Sequence, residues 1–162
     1  SVLEALDGMA RPYRLAYASE SHEGLVAAVR AGGGEVVGVV DTEFSRDGGH
    51  AAGEEVAALA RAHTDPPLCV FAVADVIAIG LIARLRELGL DVPRDVRVAG
   101  FDDIPFARYT SPPLTTASVP HSTLGVEAWD RMNALLHAQE PGGSLLLAPH
   151  VELRASTGPA AG

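Results

Sequence analysis

Lysine is missing from this chain: all 12 of its cationic residues are arginine. That excludes Schiff-base chemistry and the phosphate-gripping lysine of a Walker-type loop. Cysteine is nearly missing too. Cys69 is the single one, so no disulfide can form within the chain, and its place in an apolar run reads as a small buried hydrophobe rather than a reactive thiol. No apolar run approaches the ~18 residues that a membrane span needs. Positive charge is scarce, with a formal net charge of -9 and no cluster of cations, so this segment is not expected to grip nucleic acid phosphates itself. The patterns GxSxG, CxxC, HExxH and GxGxxG are absent, which removes the enzyme and dinucleotide classes they mark. Six histidines, His22, His50, His63, His121, His137 and His150, fall in different elements without a close pair, and read as surface residues rather than metal ligands. No metal, cofactor or catalytic residue is expected.

What is present describes a globular protein. The chain has 162 residues, 48% hydrophobic and 20% charged, the composition of a soluble single domain; at this length roughly 70% of the unfolded surface is buried on folding. It opens at Ser1 with no methionine and no basic, apolar leader. The expectation is therefore a cytoplasmic protein and a piece of a longer chain.

Apolar runs and punctuation alternate along the sequence. Leu15 to Ala18 reads as a strand, then a helix carrying Leu25, Val26 and Val29, capped by Ser19 or Ser21 and ended by Gly32-Gly33-Gly34. Those glycines follow a helix and precede the strand Glu35 to Val40, the reverse of a phosphate-binding loop, and read as a connector. Asp41 to Gly49 is expected to be a polar loop interrupted by Phe44, and Ala51 to His63 an Ala-rich helix with Val56, Leu59 and Ala60 inward. After the break at Asp65-Pro66-Pro67 come a strand from Leu68 to Val73, a helix through Ile79, Ile82, Leu85 and Leu88 stopped by Gly89, and a strand from Asp95 to Ala99. Strand, helix and strand in that order form a right-handed crossover with parallel strands. A long helix is expected from about Ser122 to His137, with Leu124, Ala128, Met132, Leu135 and Leu136 on one face and Trp129 beside it. Short strands are expected at Ser144 to Leu147 and His150 to Leu153. Val-, Leu- and Ile-rich strands without polar alternation imply an α/β fold, a parallel sheet with helices on both faces.

Three aspartates stand out because each follows the carboxyl end of a predicted parallel strand, where open α/β sheets bind ligands. Asp75 reads first as a helix N-cap and second as a ligand contact. Asp102 is balanced between the two roles. Asp102 and Asp103 are adjacent, so their side chains should point apart, and no nucleophile accompanies them as an acid/base pair would require. Phe44 is suited either to stacking on a ligand ring or to packing on its own domain.

Four segments together carry a specific resemblance: Ala74-Asp75-Val76-Ile77-Ala78-Ile79-Gly80, Glu87-Leu88-Gly89-Leu90-Asp91-Val92-Pro93-Arg94-Asp95-Val96, Val98-Ala99-Gly100-Phe101-Asp102-Asp103-Ile104-Pro105 and Pro112-Pro113-Leu114-Thr115-Thr116. They resemble the lactose-repressor (LacI/GalR) family of bacterial transcription regulators, and Val151 to Thr157 is similar to that family's closing strand motif. The resemblance runs from about Leu6 to Thr157 and covers the second half of a family member. It implies a Rossmann-like, three-layer subdomain of periplasmic-binding-protein type (type I), built from about 11–115 plus about 148–157. Residues 116–147 would cross to an N-terminal subdomain, leaving the long helix without its partner in this chain, and 158–162 would be a mobile tail. A helix-turn-helix outside this sequence would bind operator DNA. The isolated chain is expected to hide the helix face by dimerising or refolding.

The resemblance also implies site residues. Asp102 matches the first acid of the Gly-Phe-Asp-Asp turn and would accept hydrogen bonds from ligand hydroxyls; Phe44 matches a ring-stacking position; Asp75 lies in the same edge. Ser21 stands where the family usually has an arginine and Ala74 where it has an asparagine, so two strong polar anchors for a small-molecule effector are missing. A homodimer is implied, with Ile77, Leu81, Arg84, Leu85 and Tyr109 at its interface; packing of that helix within its own fold is the competing reading. The alternative function is a solute-binding protein of a transport system, which shares the fold.

Overall fold

The structure, a computed structural model, describes residues 14–18 and 23–158; the expected caps Ser19 and Ser21 lie outside the described residues. The elements in chain order are β1 (Arg14–Ala18), α1 (Glu23–Ala31), β2 (Glu35–Val39), α2 (Arg46–Ala51), α3 (Gly53–Ala62), β3 (Leu68–Ala72), α4 (Asp75–Glu87), β4 (Val96–Asp102), β5 (Thr115–Ser118), α5 (His121–Leu136) and β6 (His150–Glu152). Single 3-10 turns occupy Ala107–Tyr109 and Ala155–Thr157. The sheet order is β2-β1-β3-β4-β5-β6. Strands β1 to β5 pair in parallel, and β6 closes the edge antiparallel to β5.

The alternation of strand β3 generates the three layers. Leu68, Val70 and Ala72 face a core filled by Val56, Ala57 and Ala60 of α3 and by Ile77, Ala78, Leu81, Ile82 and Leu85 of α4. Cys69 and Phe71 point the other way, onto Val29, Leu25 and Val26 of α1. Leu68, Leu85 and Leu114 are fully buried, and each such side chain contributes roughly 1.5–3 kcal/mol by leaving water. The predicted three-layer architecture is present, with one antiparallel edge strand added.

Helix ends follow local chemistry. At the end of α4, Gly89 has φ +77°; its N–H donates to Arg86 O, and Leu90 N–H reaches back to Leu85 O at 2.9 Å. This is a Schellman closure, which needs a residue in the left-handed region. Gly33 closes α1 the same way, with φ +79° and Gly34 N–H donating to Val29 O.

Three expectations are corrected. Residues 46–51 are helical rather than part of a loop: Ser45 caps α2 by accepting a 2.9 Å hydrogen bond from Gly48 N–H. Its glycines are packing devices, since a Cβ on Gly49 would lie 2.1 Å from Ile77 O, and one on Gly80 of α4 would lie 1.9 Å from Arg46 O. The two helices therefore cross backbone to backbone. That crossing, with α3 alongside, accounts for the apolar girdle of α4. Ile77 and Leu81 are 3% exposed and Leu85 is 0% exposed, so these three expected interface residues belong to the chain's own core. Arg84 is bound to Glu54 and Glu87, while Tyr109 stands 75% exposed. The third correction is at Ser144–Leu147, which form no strand; no neighbouring strand pairs with them, and Leu146 is 94% exposed.

Helix α5 forms where its periodicity predicts, and none of its residues is buried. Leu124, Val126, Trp129, Met132, Leu135 and Leu136 all lie open. The chain neither refolds this segment nor covers it with its own sheet. No helix among the described residues is long and apolar enough to cross a membrane.

Candidate functional site

The strand order creates a place for a ligand before any side chain is considered. From β1 the chain moves to β2 on one side and then returns across β1 to β3 on the other. Helices pack on opposite faces of the sheet around that reversal, and open α/β sheets bind ligands at such a switch point, at the carboxyl ends of the strands, here β1 and β3. The loops after β2 and β4 flank it.

At the end of β4 the backbone makes an unusual turn. Asp102 has φ 108° and Asp103 φ 54°, conformations that cost a side-chain-bearing residue of order 1–3 kcal/mol each and persist only where the surroundings hold them. The hold is visible. Asp103 N–H donates to Thr116 Oγ1 at 3.3 Å and Ile104 N–H donates to Asp75 Oδ2 at 2.9 Å. The Asp103 carboxylate pairs with Arg154 at 2.6 Å, both side chains largely enclosed. Gly100 is required here, because a Cβ on it would lie 2.2 Å from Asp75 Oδ1.

The two adjacent acids do point apart. Asp103 turns inward to Arg154, whereas the described residues offer the half-buried Asp102 carboxylate no hydrogen bond. Burial raises the Asp102 pKa above the ordinary carboxylate value, and the nearby His121 ring offsets part of that rise. His121 Nε2 lies 3.4 Å from the Asp102 carbonyl oxygen. An under-solvated carboxylate with vacant lone pairs at a strand end is suited to accept hydroxyl or amine hydrogens from a ligand. Among the described residues no group of three or more His, Cys, Asp or Glu could hold a metal.

Asp75 does neither job expected of it. The N-cap of α4 is Ala74, with no side-chain capping bond, and Asp75 is fully buried. Its Oδ1 accepts from Thr116 Oγ1 at 2.6 Å and its Oδ2 from Ile104 N–H. Burial raises its pKa, an effect opposed by those two hydrogen bonds and reinforced by Asp102 and Asp103. Its role is to pin β5 and the turn after β4 to the start of α4. Ala74 is also fully buried and presents no polar atom. Phe44, in the loop after β2, is 71% exposed; Ser21 lies outside the described residues.

Asp102 and Phe44 thus flank one sheet edge, while Asp75 sits beneath it. His121, Thr116 and Arg154 went unmarked by sequence reasoning. Arg154 is 51 positions from its partner Asp103, and no local spacing signals such a pair; the only hint was its place in the closing-strand motif.

Comparison with known proteins agrees with this architecture. The periplasmic binding protein-like domain family matches residues 8–157. The HTH-type transcriptional regulator MalR of Streptomyces coelicolor is 39% identical over 97 residues, which cover 57% of this chain and 27% of that protein. Among solved structures, the transcription regulator GntR from Chromobacterium violaceum superposes with a TM-score of 0.78 at 28% identity, over 96% of this chain and 60% of that one. A LacI family regulator from Arthrobacter sp. FB24, solved in complex with lactose, gives 0.76 at 26% identity, with 96% and 60% coverage. The match thus spans about a quarter of the regulator's sequence and the chain about three fifths of each solved neighbour. The chain belongs to the periplasmic binding protein-like domain family, in the form found in the C-terminal portion of regulators of the LacI/GalR type.

Proposed function

We propose that this chain is the effector-sensing and dimerisation part of a cytoplasmic bacterial transcription regulator of LacI type, which binds operator DNA through a helix-turn-helix outside this sequence. It acts by binding rather than turnover. The observation that carries the reading is the Asp102 carboxylate, without a hydrogen bond from the described residues, at the ligand edge of a fold whose relatives regulate transcription. Because those relatives are regulators, the transport-protein reading is not favoured.

The ligand would lie across the carboxyl edge, accepted by Asp102 at one end and stacked by Phe44 at the other. Strands β2 and β4 are separated by β1 and β3, so at about 4.8 Å per spacing the two ends stand roughly 14 Å apart. That span suits a sugar of one or two rings; the Arthrobacter neighbour was solved with lactose. Because Thr115–Ser118 stay in this sheet as β5, the crossing segment begins later than Thr116: residues 119–149 would cross to a second subdomain, which would cover the open face of α5. Tyr109 remains as the exposed expected interface residue of a homodimer, with Arg84 at its margin. Ligand binding would favour one arrangement of the subdomains over another, shifting a population that the DNA-binding heads read.

The test uses the full-length gene product. Its operator affinity should depend on sequence, and a thermal-shift screen of sugars and nucleosides should find a ligand that raises Tm. That shift should vanish in Asp102→Asn with the fold unchanged. Sequence-independent DNA binding would sink the proposal.

A further inference from the structure

We propose that Arg154 is a positioning residue for the ligand edge: by clasping Asp103 it holds the Asp102–Asp103 turn in the left-handed conformation that presents the Asp102 carboxylate. The inference rests on Asp102 being the ligand contact. Arg154 spans two anchors, Nη2 to Asp103 Oδ1 at 2.6 Å and Nη1 to Leu114 O at 2.9 Å. Its own backbone is locked in turn, with its N–H donating to Thr115 Oγ1 at 2.8 Å and the Thr115 hydroxyl 2.9 Å from its carbonyl oxygen. Behind it Ser156 Oγ accepts from Thr115 N–H at 2.8 Å and donates to Val98 O at 2.6 Å. The guanidinium is thus fixed to β4 and β5 before it reaches Asp103. A guanidinium can serve two acceptors in fixed geometry, whereas an ammonium offers one point charge.

The clasp also has a topological consequence. Arg154 follows β6, on the chain returning from α5, so whatever moves residues 119–149 pulls on the segment that carries the clasp on Asp103. Ligand edge and crossing segment share one side chain.

A clasp and a nearby charge predict opposite signs. Removing a positive charge near Asp102 would raise its pKa by simple electrostatics. Opening the turn would instead hydrate Asp102 and lower its pKa toward the ordinary value. The experiment is an NMR pH titration of the Asp102 side-chain carboxyl carbon in the ligand-free chain, for wild type, Arg154→Gln and Arg154→Lys. The expected result is a downward shift in Arg154→Gln and a smaller one in Arg154→Lys. Amide exchange at Asp103 and Ile104 should quicken about tenfold or more, as expected for loss of a charge-assisted hydrogen bond, with β1 and β3 unchanged. An unchanged or raised Asp102 pKa, or exchange quickened equally throughout the sheet, would overturn it. Should Arg154→Gln not fold, Arg154→Lys carries the test alone: it keeps the positive charge, so a downward shift of the Asp102 pKa there comes from loosening the clasp and an unchanged value overturns it. Lactose as a thermal-shift probe on the full-length protein separates the two claims. A lactose shift that survives Asp102→Asn removes Asp102 as ligand contact, and the titration still decides the clasp.

Discussion

Asp75→Ala should cost this chain a large part of its stability, although Asp75 touches no solvent and its carboxylate is itself unfavourably buried. The substitution strands two donors, the buried Thr116 hydroxyl at 2.6 Å and the partly buried Ile104 N–H at 2.9 Å. Each unsatisfied donor costs about 1–3 kcal/mol, and relief of the buried carboxylate returns part of it, so a net loss of roughly 2–4 kcal/mol is expected. For a domain of this size that corresponds to a fall in Tm of roughly 5–15 °C. Urea denaturation followed by circular dichroism measures it, and Thr116→Val completes a double-mutant cycle in which the pair should couple by about 0.5–3 kcal/mol. The pH dependence supplies a second arm. The folded-state pKa of Asp75 is raised, chiefly by burial, so the native state holds its proton to higher pH than the unfolded state does. Its contribution is therefore present below the ordinary carboxylate pKa and is lost as pH rises through the raised one. Asp75→Asn should remove that part of the downward slope. A cost below about 0.5 kcal/mol, additivity with Thr116→Val, or a wild-type slope in Asp75→Asn would refute the assignment of Asp75 as the pin of the ligand-edge turn.

Two other perturbations follow from packing. Gly80→Ala should destabilise by about 1–3 kcal/mol or more, because the new methyl meets Arg46 O at 1.9 Å and His50 N at 2.8 Å and α2 must move. Gly125→Ala, with nothing within 4 Å in the open helix α5, should instead stabilise by roughly 0.5–1 kcal/mol; equal effects of the two in thermal denaturation would contradict the close crossing. The Cys69 thiol is pushed up to about 11 by burial, with Arg97 opposing in part. Labelling by a thiol reagent at pH 8 should run about a hundredfold slower or more than in urea, and equal rates would show that the α1 face of the sheet is open.

Much of the fold was legible because its signals are local. The termination of α4 needs only Leu85 to Leu90 and a glycine free to take φ +77°. The apolar run at Leu68 needs only period-two alternation between two covered faces. Helix α2 was missed for a local reason as well. Gly48-Gly49 penalises a helix in isolation, and only the crossing with α4 explains why glycine is demanded there. Periodicity around α4 showed that two faces are covered but could not say by what. The answer, α2 and α3 rather than a second subunit at Ile77, Leu81 and Leu85, came from packing.

The candidate site divides along the same line. Sequence alone determined that Asp75, Asp102 and Asp103 follow parallel strands at one sheet edge, because strand ends and their order are set by short-range patterns and crossover handedness. It also determined the family, through the motifs around them. Only tertiary structure decided which acid is free. Asp75 is taken up by Thr116, 41 positions away, and Asp103 by Arg154, 51 positions away. Asp102 is left without a hydrogen bond from the described residues. Partners that far apart meet only when the whole sheet has closed, so no spacing in the chain announces them.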